Sequence, residues 1–125
     1  MFAESADTWL RLEDDGDVTV AKLISQAIMD ERVIRVIGQE LYRQVEQLGR
    51  DQIVIDFSDV RHFSSSLLAV LIELSKKIKA TKGRLVLCGL QPELLEVFAV
   101  TRLDGTLKIV VDMYEAMRQF AAKRR

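Results

Sequence analysis

Residues 52–71, QIVIDFSDVRHFSSSLLAVL, decide the fold of this chain because they join a strand pattern directly to a helix pattern. Residues 52–57 are apolar and rich in β-branched side chains, which is typical of a strand inside a sheet. Over residues 67–80 apolar side chains recur at steps of three and four, which predicts an amphipathic helix. Its inward stripe is expected to comprise Leu67, Leu71, Leu74 and Ile78, with Leu68 and Ile72 beside it.

An N-terminal hairpin is predicted upstream of this stretch. Residues 18–24 carry β-branched side chains at alternate positions, and residues 8–12 alternate more weakly. The acidic, glycine-containing segment 14–17 between them is a turn signal. Trp9 is interpreted as a packing anchor of the hairpin, and a short extended piece is expected at residues 27–28.

A long amphipathic helix is predicted between the hairpin and the central strand. Asp30 is a suitable N-cap, and the negative charge of Glu31 favours the first turn of a helix. Gly49 is expected to end the helix. The apolar residues that recur at helical spacing are Ile34, Ile37, Leu41, Val45 and Leu48.

Strands and helices also alternate downstream of the central stretch. Residues 84–88 and 107–111 predict two further strands. Between them, Pro92 suits the first position of a helix and Glu93 suits its first turn. The residues expected on the apolar side of this helix are Leu94, Leu95, Val97 and Phe98.

A terminal helix completes the predicted order of elements. Asp112 and Glu115 have the spacing of a capping box. The residues expected to face inward are Met113, Ala116, Met117 and Phe120. The whole order predicts an α/β fold, with a mixed sheet, an N-terminal hairpin and about four helices, in one domain over residues 1–125.

The composition is that of a globular protein, with 49% hydrophobic and 30% charged residues. A net charge of −1 gives no basic bias towards nucleic acid. The longest apolar run, residues 67–72, is too short for a membrane span. Residues 1–7 hold no apolar stretch that predicts a signal peptide, and the basic end at residues 123–125 is interpreted as a solvated terminus. We therefore expect a cytoplasmic protein.

The sequence carries no motif of a usual cofactor or metal site. It has one histidine and one cysteine, which do not supply a zinc site, and no glycine-rich phosphate-binding loop. Cys88 lies in an apolar run and is expected to be a small buried hydrophobe. We expect no cofactor and no metal.

The three consecutive serines, Ser64 to Ser66, raise the hypothesis of a hydrolytic nucleophile. His62 would be its base, and Asp56 or Asp59 would orient the histidine. The glycines that flank a nucleophile elbow are absent, so catalysis is not favoured and His62 is interpreted as an ordinary, partly exposed side chain.

Capping and phosphorylation are the other uses of hydroxyls at this junction. Serine is a preferred N-cap, but only one of the three is needed for that purpose. A phosphate carries about −1.5 to −2 charges at neutral pH, and the positive end of a helix tolerates such a group. The remaining hydroxyls are therefore candidates for a phosphorylation switch.

The chain resembles STAS domains, the family of the bacterial anti-sigma factor antagonists and their relatives. The segments that carry the resemblance are residues 53–60, 63–71, 83–90, 97–98 and 101–103. They occur in the family's order along most of the chain. The resemblance implies a STAS-like fold and a role as a partner switch in signal transduction and transcription regulation.

The resemblance also implies roles for individual residues. The family motif is Asp-Ser-Ser-Gly-Leu-Gly, and its first serine is phosphorylated by an anti-sigma factor serine kinase. Alignment on Leu68 and Val70 assigns that serine to Ser65, with Ser64 and Ser66 as alternative acceptors. The unphosphorylated form would bind the kinase and release a sigma factor, and the phosphorylated form would dissociate.

Three positions depart from the motif. Ser64 replaces the aspartate, and Leu67 and Ala69 replace the two glycines. Ser66 is then the expected N-cap. Leu67 is either an exposed interface anchor or the first residue of the inward stripe. The predicted partner-binding residues are Ser64, Ser65, Ser66, Leu67, Leu68 and Ile72.

Two other functions stay open. One is a non-switched STAS scaffold in a signalling or transporter assembly, which predicts a complex insensitive to Ser65→Glu. The other is a small-ligand or nucleotide sensor. The sequence names neither the kinase nor the sigma factor, and it leaves a homodimer open.

Overall fold

The computed structural model describes residues 8–121, so the expectations for residues 1–7 and 123–125 lie outside the described residues. Within that range it has seven strands, four α-helices and the short 3₁₀ helix Leu103–Gly105. The strands are β1 Leu10–Asp15, β2 Val18–Leu23, β3 Ala27–Ile28, β4 Gln52–Asp56, β5 His62–Phe63, β6 Arg84–Cys88 and β7 Lys108–Val110. The helices are α1 Glu31–Glu46, α2 Ser65–Ala80, α3 Pro92–Val100 and α4 Met113–Ala121.

The predicted N-terminal hairpin is confirmed. β1 and β2 pair antiparallel, and Asp15 lies opposite Val18 across the turn. Gly16 in that turn has a φ of 64°, in the left-handed region that glycine enters without a steric penalty. Trp9 packs against the core, and its carbonyl accepts a 3.0 Å bond from the Ile24 amide, as expected of an anchor.

The main sheet is mixed, as predicted, and has the strand order β1-β2-β4-β6-β7. Only the β1–β2 pair is antiparallel, and β4 pairs in parallel with β2 and with β6. In the central strand β4, residues Ile53, Val54 and Ile55 are fully buried. Such burial on both faces explains the continuous apolar run from which this strand was predicted.

Helices cover both faces of the sheet. Alternate side chains of β4 point to opposite faces, so Ile53 and Ile55 join the main core with α1 and α2. Val54 joins a smaller core with Ala116 and Phe120 of α4 on the other face. The predicted inward residues of α4 are therefore confirmed for these two, and Met113 and Met117 pack partly buried beside them.

Two helices bury fewer apolar residues than the sequence predicts. α1 stops at Glu46, and Leu48, predicted to lie in the helix, is 45% exposed beyond it. The amide of Leu48 donates to the carbonyl of Arg43, and Gly49 has a φ of 68°, so the chain turns out of the helix.

In α3, Leu94 and Phe98 are buried as predicted, but Leu95 and Val97 are exposed. A nine-residue helix on the edge of the core buries one stripe at i, i+4 spacing and leaves its other apolar side chains outside.

The predicted capping box at α4 is formed in one direction. The Glu115 amide donates to Asp112 Oδ1 at 3.0 Å, as expected of a cap. The Glu115 carboxylate instead pairs with Arg118 at 3.3 Å.

Among residues 8–121, no helix is long and apolar enough to cross a membrane.

Cys88 is fully buried, as predicted, and its thiol should react very slowly in the folded protein. Burial raises the pKa of the Cys88 thiol to about 12, and the carboxylates of Asp56 and Asp112 add to the rise. Because the thiolate is the reactive species, labelling with Ellman's reagent at pH 8 should be at least about 100-fold slower in the native protein than in urea. The raised pKa also makes stability depend on pH. Below the ordinary pKa of 9.0 the thiol is protonated in both the folded and the unfolded state, so its contribution to stability is fully present. As the pH rises from there to about 12, only the unfolded state ionises, and the contribution is lost. Equal labelling rates in the two states would contradict the buried placement.

Candidate functional site

The serine run lies where two short strands bring the starts of α1 and α2 together. β5 pairs in parallel with β3, and the Ser64 amide donates to the carbonyl of Ile28 at 2.9 Å. β3 leads into α1, which begins after its N-cap Asp30, and β5 leads directly into α2. The side chain of Asp30 accepts from the Arg32 amide at 2.8 Å, so the predicted cap is confirmed.

Ser64 is the N-cap of α2, and the prediction that Ser66 has this role is wrong. The Ser64 backbone is extended, and its hydroxyl accepts a 3.2 Å bond from the Ser66 amide. The helix begins at Ser65, two residues before the apolar run, and therefore the cap also lies earlier than expected. Serine and aspartate are about equally good N-caps. Ser64 can thus replace the motif aspartate without loss of the helix start.

Glu31 connects the two helix starts, a contact that no local pattern in the sequence predicts. Its two carboxylate oxygens lie 2.8 and 2.7 Å from Ser66 Oγ, which donates to them. One of these oxygens also accepts from Ser64 Oγ at 3.3 Å. Glu31 lies 35 positions before Ser66 in the chain, and the β3–β5 pairing and the packing of α1 against α2 bring them together.

The middle serine is in a different environment. Ser65 occupies the first position of α2, and its side chain is exposed. Within residues 8–121 the Ser65 hydroxyl makes no hydrogen bond, whereas both neighbouring hydroxyls are bonded. The first turn of α2 contains no acidic residue of its own. The amides of this turn therefore offer their positive end to a negative group on Ser65.

The leucines that follow face the core. Leu67 is fully buried and Leu68 is 8% exposed, and both belong to the main core. Of the two alternatives for Leu67, the structure has the inward one, and an exposed anchor at this position is excluded in this conformation. Ile72 is half-buried and Ala69 is exposed, so these two continue the accessible side of α2 beyond Ser65.

Three phenylalanines pack beneath the junction. Phe57 follows β4, Phe63 ends β5 and Phe98 lies in α3. Their ring centroids are 6.0 to 6.4 Å apart, and each pair meets at a steep angle. Such aromatic contacts, two of them edge-to-face, add to the apolar burial and hold the three elements in one arrangement.

A groove of about 400 Å³ runs beside the serine run, between α3 and the β3–β5 pair. Its lining combines apolar side chains with a basic and an acidic group. The lining residues are Met29, Arg61, His62, Phe63, Gln91, Glu93, Leu94 and Val97.

The groups of the hydrolytic hypothesis are not assembled. Asp56 accepts from the Ser58 amide at 2.9 Å, and Asp59 lies 3.7 Å from the ammonium group of Lys22. His62 is exposed, and no hydrogen bond joins its ring to a serine in the described part of the chain. Residues 8–121 contain no group of three or more His, Cys, Asp or Glu side chains that could hold a metal ion.

The Glu31–Ser66 contact is expected to stabilise the fold modestly. A hydrogen bond to a charged group contributes about 1.5–3 kcal/mol, and exposure to water reduces this towards the level of a surface ion pair. A double-mutant cycle with Glu31→Ala and Ser66→Ala, followed by urea unfolding, should give a coupling of about 0.5–1 kcal/mol. Additive effects of the two substitutions would show that the contact does not persist in solution.

Comparisons with known proteins identify relatives of this chain. Residues 11–116 match the family model of the STAS domain. Over 76 residues the chain is 30% identical to BtrV of Bordetella bronchiseptica, which bears the name anti-sigma factor antagonist. This alignment covers 61% of the chain and 65% of BtrV, just under two thirds of that relative.

Solved structures share the fold. A Thermotoga maritima protein described as an anti-sigma factor antagonist superposes with a TM-score of 0.79 at 22% identity, over 91% of this chain and 96% of its own. The Bacillus cell fate determinant SpoIIAA, in its phosphorylated form, gives a TM-score of 0.69 at 17% identity. That match covers 89% of this chain and 98% of SpoIIAA.

Proposed function

Since the chain belongs to the STAS domain family, we propose that it is an anti-sigma factor antagonist controlled by phosphorylation of Ser65. The unphosphorylated form binds an anti-sigma factor serine kinase, and this binding releases a sigma factor. Phosphorylated protein dissociates from the kinase. The name of BtrV supports the antagonist role, and the phosphorylated form of SpoIIAA supports control by phosphate on this fold. This protein and the kinase would both act in the cytoplasm.

The observation that carries the proposal is the difference between Ser65 and its neighbours. Ser65 is exposed, and among residues 8–121 its hydroxyl is unbonded. Phosphoryl transfer requires an accessible hydroxyl whose proton a base of the kinase can take. Ser65 meets that requirement better than Ser64 and Ser66, whose hydroxyls donate to Glu31.

The position of Ser65 also explains how a phosphate would end binding without unfolding the domain. The group adds about −1.5 to −2 charges at the positive end of α2, where the helix tolerates them. A partner surface that fits the neutral hydroxyl would instead have to desolvate this charge or meet it with like charge. The fold would persist while the interface is lost.

We place the partner-binding face around the start of α2. It would include Ser64, Ser65 and Ser66 at the helix mouth and Ile72 further along the accessible side. Leu67 and Leu68 support this face from the core side rather than by touching the partner.

The test is phosphorylation by an anti-sigma factor serine kinase of the same organism. The protein would be incubated with the kinase and Mg-ATP, and the modified residue located by peptide mass spectrometry. We expect one phosphate, on Ser65, and only slow modification of the neighbouring serines in the Ser65→Ala variant. Absence of phosphate from Ser64, Ser65 and Ser66 alike would overturn the switch.

A second candidate function, a small-ligand or nucleotide sensor, has the groove of about 400 Å³ in its favour. Arg61 and His62 on its wall could bind an anionic group. Calorimetric titration with ATP and GTP would test this function. Heat of binding that is lost in Arg61→Ala would support it, and a flat titration would exclude these ligands.

A further inference from the structure

We propose that Glu31 determines which serine is modified, by holding the hydroxyls of Ser64 and Ser66 and leaving that of Ser65 as the acceptor. This inference rests on the proposed function, because it concerns the choice of acceptor in the same phosphoryl transfer. The three serines are adjacent in the chain, and contacts from elsewhere in the fold distinguish their hydroxyls.

The geometry around Glu31 is asymmetric across the three serines. Ser66 Oγ lies within 2.8 Å of both carboxylate oxygens, and Ser64 Oγ lies 3.3 Å from one of them. The Ser64 hydroxyl is engaged a second time, because it accepts the Ser66 amide as the cap of α2. In the described range, residues 8–121, no such bond reaches the hydroxyl of Ser65.

The chemistry of the transfer makes these contacts an obstacle. A serine Oγ forms a bond to the γ-phosphorus of ATP, the bond from that phosphorus to the β–γ bridging oxygen breaks, and ADP leaves. The hydroxyl proton passes to a base of the kinase. Ser66 already donates its proton to Glu31, so the kinase base would have to displace that carboxylate. The carboxylate would also lie close to the negative γ-phosphate and repel it.

Glu31 is held in place by the fold around it. Asp30 caps α1 directly before Glu31, and the β3–β5 pair sets the start of α1 beside the start of α2. The side chain of Glu31 is exposed, so its replacement removes a surface contact and leaves the core intact. Glu31 is thus a specificity-determining residue that acts through the serines, and it need not touch the kinase.

The sharpest test removes the preferred acceptor. Ser65→Ala and the double variant Glu31→Ala/Ser65→Ala would be incubated with the kinase that modifies the wild-type protein and Mg-ATP, and the phosphate on Ser64 and Ser66 quantified by mass spectrometry. We expect at least about a tenfold higher initial rate of modification at Ser66 in the double variant. In the Glu31→Ala single variant, phosphate should appear on Ser66 as well as on Ser65.

Two further variants separate the specific effect from a general one. Glu31→Gln keeps the size of the side chain but removes its charge, and it should raise modification at Ser66 less than Glu31→Ala does. Glu115→Gln removes another first-turn carboxylate, on α4, and should leave the distribution of phosphate unchanged. Circular dichroism would confirm that each variant is folded.

The outcomes distinguish this inference from the proposed function. Phosphate on Ser65 alone in both the wild-type protein and Glu31→Ala would overturn the role of Glu31 and leave the switch intact. Phosphate on Ser66 or Ser64 in the wild-type protein would also overturn it. If no serine is modified in any variant, the proposed function fails, and the role of Glu31 fails with it.

Discussion

Ser65→Glu is expected to weaken binding to the anti-sigma factor kinase about 100-fold, a loss of about 2.8 kcal/mol. Glutamate at this position imitates part of the charge of a phosphate. Ser65 is exposed at the first position of α2, so the new carboxylate should be compatible with the fold and favourable near the helix start. The carboxylate weakens binding because the complex must bury its charge against the partner, which raises the free energy of the complex. Titration calorimetry with the purified kinase measures the effect.

Ser65→Gln is the matched control for Ser65→Glu, because glutamine has nearly the same size and no charge. We expect it to weaken binding less than tenfold, and Ser65→Ala to bind like the wild-type protein. Equal affinity of the glutamate variant and the wild-type protein would contradict the switch. That result would favour the non-switched scaffold in a signalling or transporter assembly.

Phe57→Ala is expected to lower the free energy of unfolding by about 3–5 kcal/mol. Phe57 is fully buried directly after β4, and it contacts Phe63 and Phe98 in the aromatic cluster beneath the serine run. Its loss leaves a cavity and removes one edge-to-face contact, with Phe98, and one tilted ring contact, with Phe63. Unfolding in urea, followed by circular dichroism, gives the difference directly.

The control for Phe57→Ala is Tyr114→Ala, an aromatic truncation at a side chain that is 71% exposed. We expect this substitution to change stability by less than about 0.5 kcal/mol. If Phe57→Ala costs no more than Tyr114→Ala, the aromatic cluster does not hold the junction together.

Strong local periodicity explains what the sequence predicted well. The apolar run of β4 and the inward stripe of α2 were recognised because the burial of these elements imposes their pattern. The hairpin and the cap Asp30 were recognised because turns and caps depend on a few adjacent residues. The family resemblance then pointed to Ser65 as the acceptor, which stays a prediction until a phosphate is located.

The errors came from features that local pattern does not determine. Leu48, Leu95 and Val97 are apolar residues near a helical stripe, but the end of α1 and the position of α3 at the edge of the core leave them exposed. The orientation of Leu67, which the sequence leaves open, depends on where α2 begins, and the structure places that start two residues before the apolar run.

The contact of Glu31 with the serines is the feature of the site that the sequence does not predict. From the sequence, Glu31 is predicted only to favour the first turn of α1, because no local pattern connects it with a residue 35 positions away. The two-residue strands β3 and β5 and the packing of α1 against α2 bring the residues together, and strands this short leave no periodic signal.

The most direct test of the switch is the affinity of the anti-sigma factor kinase for this protein before and after phosphorylation of Ser65. Both forms would be purified, their phosphate content verified by mass spectrometry, and each titrated into the kinase by calorimetry without ATP. The account predicts that the unphosphorylated form binds and that the phosphorylated form binds at least about 100-fold more weakly. Equal affinity of the two forms would contradict it.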